Sequence, residues 1–321
     1  MTTNIDGGGR APPSTAGAGS GPVIFDRQLL VRRRTRFAGV AENHDFLLAR
    51  SAGDLADRLS LIRRQFPTTV VLGAYHGLLG RRLASLGNVG TVIDSEACAP
   101  RLATCCGLRV LADEEALPFR AASLDLVASA LSLHLVNDLP GALLQIRRAL
   151  KPDGLFLGSL LGGQTLVELR SAMLAAEAEV EGGASPRVAP FADVRDLGGL
   201  LQRAGFALPV ADSDSFTVTY PGALELMREI RAMGAGNALV ARRRSPLRRA
   251  TLWRACEIYA DRFADAAGRV RATFEIVTLT GWAPDPSQQQ PLAPGSARTR
   301  LADALHVPEH NVGYKTGRGS A

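Results

Sequence analysis

The chain has 321 residues, of which 46% are hydrophobic and 21% charged, and this balance is typical of a globular protein with an apolar core. No apolar run reaches the roughly 18 residues that a membrane-spanning helix requires, and the N-terminus lacks the apolar segment of a secretory signal. The four cysteines show no zinc-binding spacing, so we expect no metal site. Free thiols favour a reducing, cytoplasmic location.

The net charge of +6 is concentrated in arginine clusters at residues 32–36, 63–64 and 242–249. A solvated surface explains such clusters, and a membrane surface, an acidic protein or RNA are the alternatives. Nucleic acid is the least favoured of these partners, because no aromatic-interleaved RNA motif accompanies the arginines. Peripheral contact with the inner membrane stays open.

Residues 1–22 are rich in Gly, Pro, Ser and Thr, and we expect them to be disordered. From Val23 to Phe66, apolar residues recur at steps of three and four, which predicts one or two helices. These helices should pack on the domain that follows.

A strand–helix alternation then begins. Short apolar runs predict five strands, and longer amphipathic stretches between them predict helices. The predicted strands are Thr69–Leu72, Gly90–Ile93 with its end at Asp94, Leu108–Leu111, Leu124–Ser129 and Leu155–Leu160; the helices are Leu78–Leu86 and Pro140–Leu150. Lys151–Gly154 has the composition of a turn. Repeated units of this kind predict an α/β, doubly wound, mostly parallel sheet.

The second half of the sequence predicts elements that cap this sheet. We expect helices at 165–181, up to 204, at 222–235 and at 246–266, a strand at 216–220 and an antiparallel edge strand at 272–280. The expected organisation is one domain at 23–282, with a cofactor half at about 55–160 and a substrate half at about 161–282. Residues 283–321 form a low-complexity tail.

Glycines and carboxylates follow the predicted strands. Gly73, Ala74 and Gly77 come directly after the first strand, where a glycine bend lets backbone approach a ligand. Asp94, about 20 residues later, can accept both hydroxyls of a ribose. Asp113 after the third strand is our first choice for the adenine amino group, and Glu114 is included in the predicted cofactor site.

Other polar residues have a structural explanation that is as good as a catalytic one. His134 follows the fourth strand and could act as a base, but a histidine bonded to backbone explains it equally well. Gln164 and Thr165 follow the fifth strand and could bind a substrate. Thr165 could equally cap the next helix, with Glu168 completing a capping box. The sequence therefore identifies no catalytic residue.

These motifs resemble those of the class I S-adenosylmethionine-dependent methyltransferases, as seen in Asp113–Phe119, Ser123–Val127 and Leu150–Gly154. A narrower resemblance, to the mitochondrial complex I assembly factor 5 family and its bacterial relatives, covers about residues 23–282. Its motifs are Ile24–Arg27, Leu131–His134, Val136–Pro140, Gly162–Leu166, Glu181–Arg187, Tyr220–Pro221 and Met233–Gly234. The malonyl-carrier-protein methyltransferase of the biotin pathway is a more distant likeness.

The resemblance implies a seven-stranded, Rossmann-like sheet with N-terminal helices, a helical insertion near the C-terminus, and S-adenosylmethionine as cofactor. It also implies a protein substrate in respiratory complex I, since the mitochondrial member hydroxylates an arginine of a core subunit. The first motif departs from the family pattern. Val71 stands at the family's acidic position, and Tyr75 stands at the middle glycine.

Three functions are therefore open. The favoured one is an S-adenosylmethionine-dependent enzyme that acts on a protein side chain or a small carboxylic acid. The alternatives are an assembly factor that uses the fold as a docking surface, or an activity like that of an arginine hydroxylase. A nucleic-acid methyltransferase is a weaker fourth hypothesis, because the base-pocket motif of such enzymes is missing.

Overall fold

The computed structural model describes residues 21–289, 296 and 299–308, and its first compact unit extends to Asp285. The expected disorder of residues 1–20 and most of the expected tail lie outside the described residues. Residues 286–321 form a second unit, in which a short helix is described at Leu301–Leu305. Within the described part of the chain, no helix is both long and apolar enough to cross a bilayer.

Two helices and a short 3₁₀ helix precede the sheet, which confirms the helical prediction for this region. They are α1 (Arg27–Arg36), the 3₁₀ helix Ala38–His44 and α2 (Phe46–Ser60). The Asp26 carboxylate caps α1 by accepting from the Leu29 N–H at 2.9 Å. α1 buries only Leu30 and Arg34, so little apolar surface attaches this helix to the domain.

Seven strands form one sheet in the order β3-β2-β1-β4-β5-β7-β6. Strands β1 to β5 pair in parallel, and β7 runs antiparallel to both β5 and β6. The strands are β1 (Phe66–Leu72), β2 (Val89–Glu96), β3 (Leu108–Leu111), β4 (Leu124–Ala130), β5 (Leu150–Leu161), β6 (Ala207–Tyr220) and β7 (Val270–Trp282). This is the doubly wound sheet of class I methyltransferases, as expected from the sequence.

Helices cover both faces of the sheet, and the central strands β1, β4 and β5 bury consecutive side chains on both sides. They are α3 (Leu78–Ala84), α4 (Ala99–Leu102), α5 (Leu139–Ala149), α6 (Val167–Glu181), α7 (Val194–Arg203), α8 (Ala223–Ala232) and α9 (Arg249–Phe263). α8 and α9 lie between β6 and β7 in the chain and form the expected helical insertion. The apolar core under α6, α8 and α9 is separate from the two that flank the parallel strands.

Three local predictions are wrong. The segment 151–154 belongs to β5 instead of a turn, with Asp153 at a φ of +58°. The predicted edge strand 272–280 lies inside the sheet, where residues 276–279 are buried in succession because both faces are covered; β6 is the edge. Thr165 does not cap α6, which begins after Leu166; the Thr165 hydroxyl donates to the Glu275 carbonyl at 3.1 Å.

Candidate cofactor and substrate site

The site lies where the strand order reverses, between β1 and β4. In open α/β sheets, ligands bind at this switch point, beyond the carboxyl ends of the strands. The loops that follow β1, β2, β3 and β4 meet at this edge, and α1 lies over them through its arginines. The predicted residues Gly73, Asp113 and Glu114 are all at this edge of the sheet.

The loop after β1 is a left-handed bend. Gly73 has a φ of +62° and Gly77 a φ of +81°, values that favour glycine. A side chain on Gly73 would overlap Ser132 from the loop after β4. Ala74 is buried, and its N–H donates to the Ser95 carbonyl at 3.0 Å. The bend therefore packs tightly against the protein's own loops.

Tyr75 fills the crevice beside this bend. Its ring lies 5.0 Å from the Arg34 guanidinium and 5.0 Å from the Arg101 guanidinium, and its hydroxyl donates to the Leu131 carbonyl. A φ of +54° is strained for a bulky residue, so these contacts must offset the cost. Burial raises the pKa of Tyr75, so the ring stays a neutral phenol.

Glu96 is the carboxylate at the tip of β2. It is completely buried and accepts from the Tyr75 N–H at 2.9 Å and from the Cys98 N–H at 3.0 Å. The sequence places Asp94 at this tip, and that placement is wrong, because β2 continues two residues further and pairs Glu96 with Leu111 of β3. Pro100 in the first turn of α4 marks the start of the next helix, so the sequence indicates only that β2 ends before it.

Asp94 lies inside the sheet and faces α3. A side chain on Gly80 would overlap its carboxylate, and its Oδ1 atom has no hydrogen-bond partner. Burial raises the pKa of Asp94 to about 6, although Cys105 and Arg81 act in the opposite direction. Asp94 is thus a structural residue under strain and does not line the crevice.

Two arginines of α1 bind the carboxylates at the edge. Arg27 Nη2 lies 2.7 Å from Asp113 Oδ1 and also contacts Glu114. Arg34 Nη1 lies 3.5 Å from Glu96 Oε1 and 3.7 Å from Glu114 Oε1. Sequence reasoning missed both arginines, because nothing local in α1 indicates which side chains cross to the sheet.

The pKa values of the buried acids reflect this pairing. Burial acts to raise the pKa of Glu114, but Arg27 and Arg34 more than offset it and lower the pKa. Burial dominates at Glu96 and raises its pKa despite Arg34. Asp113, by contrast, leaves 40% of its side chain exposed and is the most accessible of the three carboxylates.

Beyond Tyr75 the crevice continues into two cavities. One has about 600 Å³ of empty space, partly open to solvent, beside Tyr75 and Arg101, and the second has about 770 Å³, also partly open, between the loop after β4, α6 and the segment at 187–191. His134 lines both, with its ring centroid 5.6 Å from that of Phe191. Burial lowers the pKa of His134 to about 3, and its Nδ1 has no partner, so a neutral imidazole faces the cavities.

The other polar residues of these loops have structural contacts. His76 is buried with Nε2 3.2 Å from Asp45 Oδ2, and burial lowers its pKa. Gln164 is exposed, and its N–H donates to Glu275 at 2.8 Å. Thr165 is buried and lines the larger cavity. No group of three potential metal ligands occurs among the residues that the structure describes.

Asp94→Asn should stabilise the protein at neutral pH. Burial raises the pKa of Asp94 from 3.8 to about 6, so ionising this carboxyl destabilises the folded protein. The cost is absent below about pH 4 and is fully present once the pH has risen through about 6. Asparagine stays neutral, so the free energy of unfolding at about pH 7.5 should increase by about 1–3 kcal/mol, with little change at about pH 4. Urea unfolding at both pH values measures this.

Asp125→Asn is the matched control, because its carboxylate is 2.9 Å from Lys151 Nζ and accepts from the Thr68 N–H. This substitution should lower stability at neutral pH. A destabilised Asp94→Asn protein at about pH 7.5 would contradict the assignment of Asp94 as a buried carboxylate whose charged form is disfavoured.

Comparisons with known proteins agree with this architecture. A family model described as a methyltransferase domain matches residues 71–158. Among solved structures, the YcgJ protein of Bacillus subtilis covers 74% of this chain and 99% of its own with a TM-score of 0.52 and 13% identity, a likeness of fold alone. S-adenosylmethionine is the cofactor of this domain in class I methyltransferases.

Curated relatives match over nearly their whole length. The mitochondrial arginine-hydroxylase NDUFAF5 of Danio rerio is 37% identical over 296 residues, 89% of this chain and 91% of the relative, and that of Homo sapiens is 38% identical over 315 residues, 94% and 88%. A malonyl-[acyl-carrier protein] O-methyltransferase of Gallionella capsiferriformans is 33% identical over 280 residues, 82% and 93%. The chain therefore belongs to the methyltransferase-fold family of the arginine-hydroxylase NDUFAF5.

Proposed function

We propose that this protein binds S-adenosylmethionine at the β1–β4 edge and modifies a side chain of a partner protein. The observation that supports this is the set of carboxylates around the glycine bend: Glu96 at the tip of β2, and Asp113 and Glu114 after β3. Carboxylates at these places match the hydroxyls of a ribose and the amino group of an adenine. We assign the ribose to Glu96 in place of Asp94.

The carboxylates and the glycine bend suit the polar groups of the cofactor. The crevice, however, has room for the cofactor only after side chains move. Gly73, Ala74 and Gly77 form the bend, but the Tyr75 ring occupies the crevice. Arg27 and Arg34 hold the carboxylates that a nucleoside would need. Opening therefore requires Tyr75 to turn away and α1 to release the edge, and only Leu30 of α1 would lose a buried apolar contact.

The larger cavity is a suitable place for the acceptor side chain. When bound, the cofactor supplies a methyl group on a positively charged sulfur. His134 is neutral near physiological pH and its Nδ1 has no partner, so it is able to form a hydrogen bond with a polar acceptor group; its low pKa makes it a poor base. Leu161, Leu166 and Phe274 give the cavity a partly apolar lining.

The names of the relatives indicate the partner. One group of relatives is named for arginine hydroxylation and another for methylation of a carrier-protein-bound acid. Our proposal is a protein-borne group, with an arginine of a respiratory complex I subunit as the leading candidate. A cytoplasmic protein that meets the inner membrane through such a partner fits this role.

A second function is an assembly factor that docks through this fold without chemistry. Two observations favour it. Val71 is completely buried where the family has an acidic residue, and Tyr75 closes the crevice. If this function holds, no cofactor should bind at millimolar concentration.

Glu96→Gln and Asp94→Asn form a matched pair that tests the cofactor site, because both are buried carboxylates of β2. Loss of a charge-assisted hydrogen bond costs about 1.5–3 kcal/mol, so Glu96→Gln should weaken S-adenosylmethionine binding about ten- to hundredfold. Asp94→Asn should leave the Kd within about threefold. Isothermal calorimetry measures both, and the reverse order of effects would return the ribose to Asp94.

Tyr75→Gly should strengthen S-adenosylmethionine binding by about tenfold or more, which corresponds to about 1.4 kcal/mol of closure energy removed. Glycine also suits the left-handed backbone at this position. Tyr75→Phe keeps the ring and loses only the hydrogen bond to Leu131, so its effect should be smaller. An unchanged or higher Kd for Tyr75→Gly would show that the ring does not block the ligand.

A further inference from the structure

Arg101 of α4 is a buried cation without a carboxylate partner. It is 1% exposed, and its Nε and Nη1 atoms have no hydrogen-bond partner. Its Nη2 atom donates to the Met233 carbonyl at 2.7 Å. A buried guanidinium that is left unpaired is strongly destabilising, because it has lost its water and gained no carboxylate. A side chain kept at such a cost calls for an explanation.

The protein is shaped to hold Arg101 in this position. Gly234 has a φ of +78°, and a Cβ atom there would lie 2.9 Å from Arg101 Nη2. The Tyr75 ring stacks on the guanidinium with its centroid at 5.0 Å. The Met233–Gly234 loop and Tyr75 therefore seat the side chain between them, at the wall of the 600 Å³ cavity.

Of the three arginines Arg27, Arg34 and Arg101 at the crevice, Arg101 has no carboxylate partner among the described residues. Arg27 and Arg34 share the carboxylates of Glu96, Asp113 and Glu114. Among the described residues, no carboxylate oxygen lies within ion-pair distance of Arg101. Burial, and then the positive charge of Arg34, lower its pKa, which is the signature of a cation that lacks a counterion.

Val71 stands at the position where the methyltransferase motif has an acidic residue. In the methyltransferase motif an acidic residue at this position meets the positively charged amino group of the cofactor's methionine part. Val71 is an uncharged core residue, and Arg101 places a positive charge at the wall of the crevice beside Tyr75. The crevice therefore lacks an acidic group at position 71 for an ammonium and holds a cation that attracts a carboxylate.

The geometry indicates which end of a ligand Arg101 meets. Glu96 and Asp113 lie at the β2–β3 side of the edge, so a nucleoside held there directs its far end toward β1 and β4. The cavity that Arg101 lines lies on that side, beside Tyr75, Leu131 and His134. The far end of S-adenosylmethionine carries one carboxylate.

We propose that Arg101 binds the carboxylate of the ligand's amino-acid part after Tyr75 has turned away from it. The inference rests on the proposed function and specifies how this chain recognises the cofactor. Charge-assisted hydrogen bonds from a desolvated guanidinium are strong, so Arg101 contributes affinity that Val71 no longer provides.

The test compares S-adenosylmethionine with 5′-methylthioadenosine, which lacks the amino-acid part, by calorimetry on the full chain. Arg101→Met is the variant, because an apolar side chain of similar length replaces an unpaired buried charge without loss of stability. It should weaken S-adenosylmethionine about ten- to hundredfold and 5′-methylthioadenosine by less than about threefold. Arg109→Ala, an exposed arginine of β3, should change neither Kd.

Each outcome of this test supports or overturns the role assigned to Arg101. Equal weakening of both ligands by Arg101→Met, or no weakening of either, overturns the inference and leaves the proposed function in place. The measurements are repeated in the Tyr75→Gly background, so that weak affinity does not hide the effect. If neither ligand binds to the wild type or to Tyr75→Gly, the proposed function fails, and the inference fails with it.

Discussion

The arrangement of this protein depends on one charge cluster at the carboxyl edge of the sheet. Glu96, Asp113 and Glu114 come from the ends of parallel strands, where the fold brings them together, and Arg27 and Arg34 reach them from α1. Because the acids are buried or half-buried, they require cations or ligand hydroxyls as partners. The arginines of the chain and a nucleoside are therefore alternative partners for the same carboxylates.

This competition explains how a first motif that differs from the family pattern occurs in a chain that keeps the family's fold. Val71 carries no negative charge, Tyr75 fills the space above the bend, and Arg101 stacks on its ring. Each of these features alone weakens the familiar cofactor site. Together they form a crevice in which most side chains have partners within the protein, while Arg101 and His134 keep polar atoms without a hydrogen-bond partner.

Sequence patterns predicted the sheet well, because a buried parallel strand must be a continuous apolar run. Gly73 and Gly77 were found from the same logic, since a bend after such a strand requires left-handed backbone. Glu96 was missed because β2 continues through polar residues, paired by its backbone to β3, after the apolar run has ended. The cluster was missed for a different reason. Arg27 and Arg34 are separated from their partners by more than sixty residues, and no local spacing encodes such contacts.

Local sequence pattern also failed to predict which strand lies at the edge of the sheet and where β5 begins. β7 alternates as an edge strand does, yet it lies between β5 and β6, because the long strand β6 extends from Ala207 and covers it. Asp153 continues β5 through a left-handed residue where composition favours a turn. Both errors concern pairing between distant segments, which local pattern does not report.

Hydrogen exchange of α1 measures whether the ligand and the arginines of α1 compete for one set of carboxylates. With saturating S-adenosylmethionine, we expect the amides of Arg27–Arg36 to exchange faster than in the free protein, while those of α5, remote from the cluster, stay unchanged. Slower or unchanged exchange of α1 in the bound protein would show that helix and ligand occupy the edge together, and the competition would not exist.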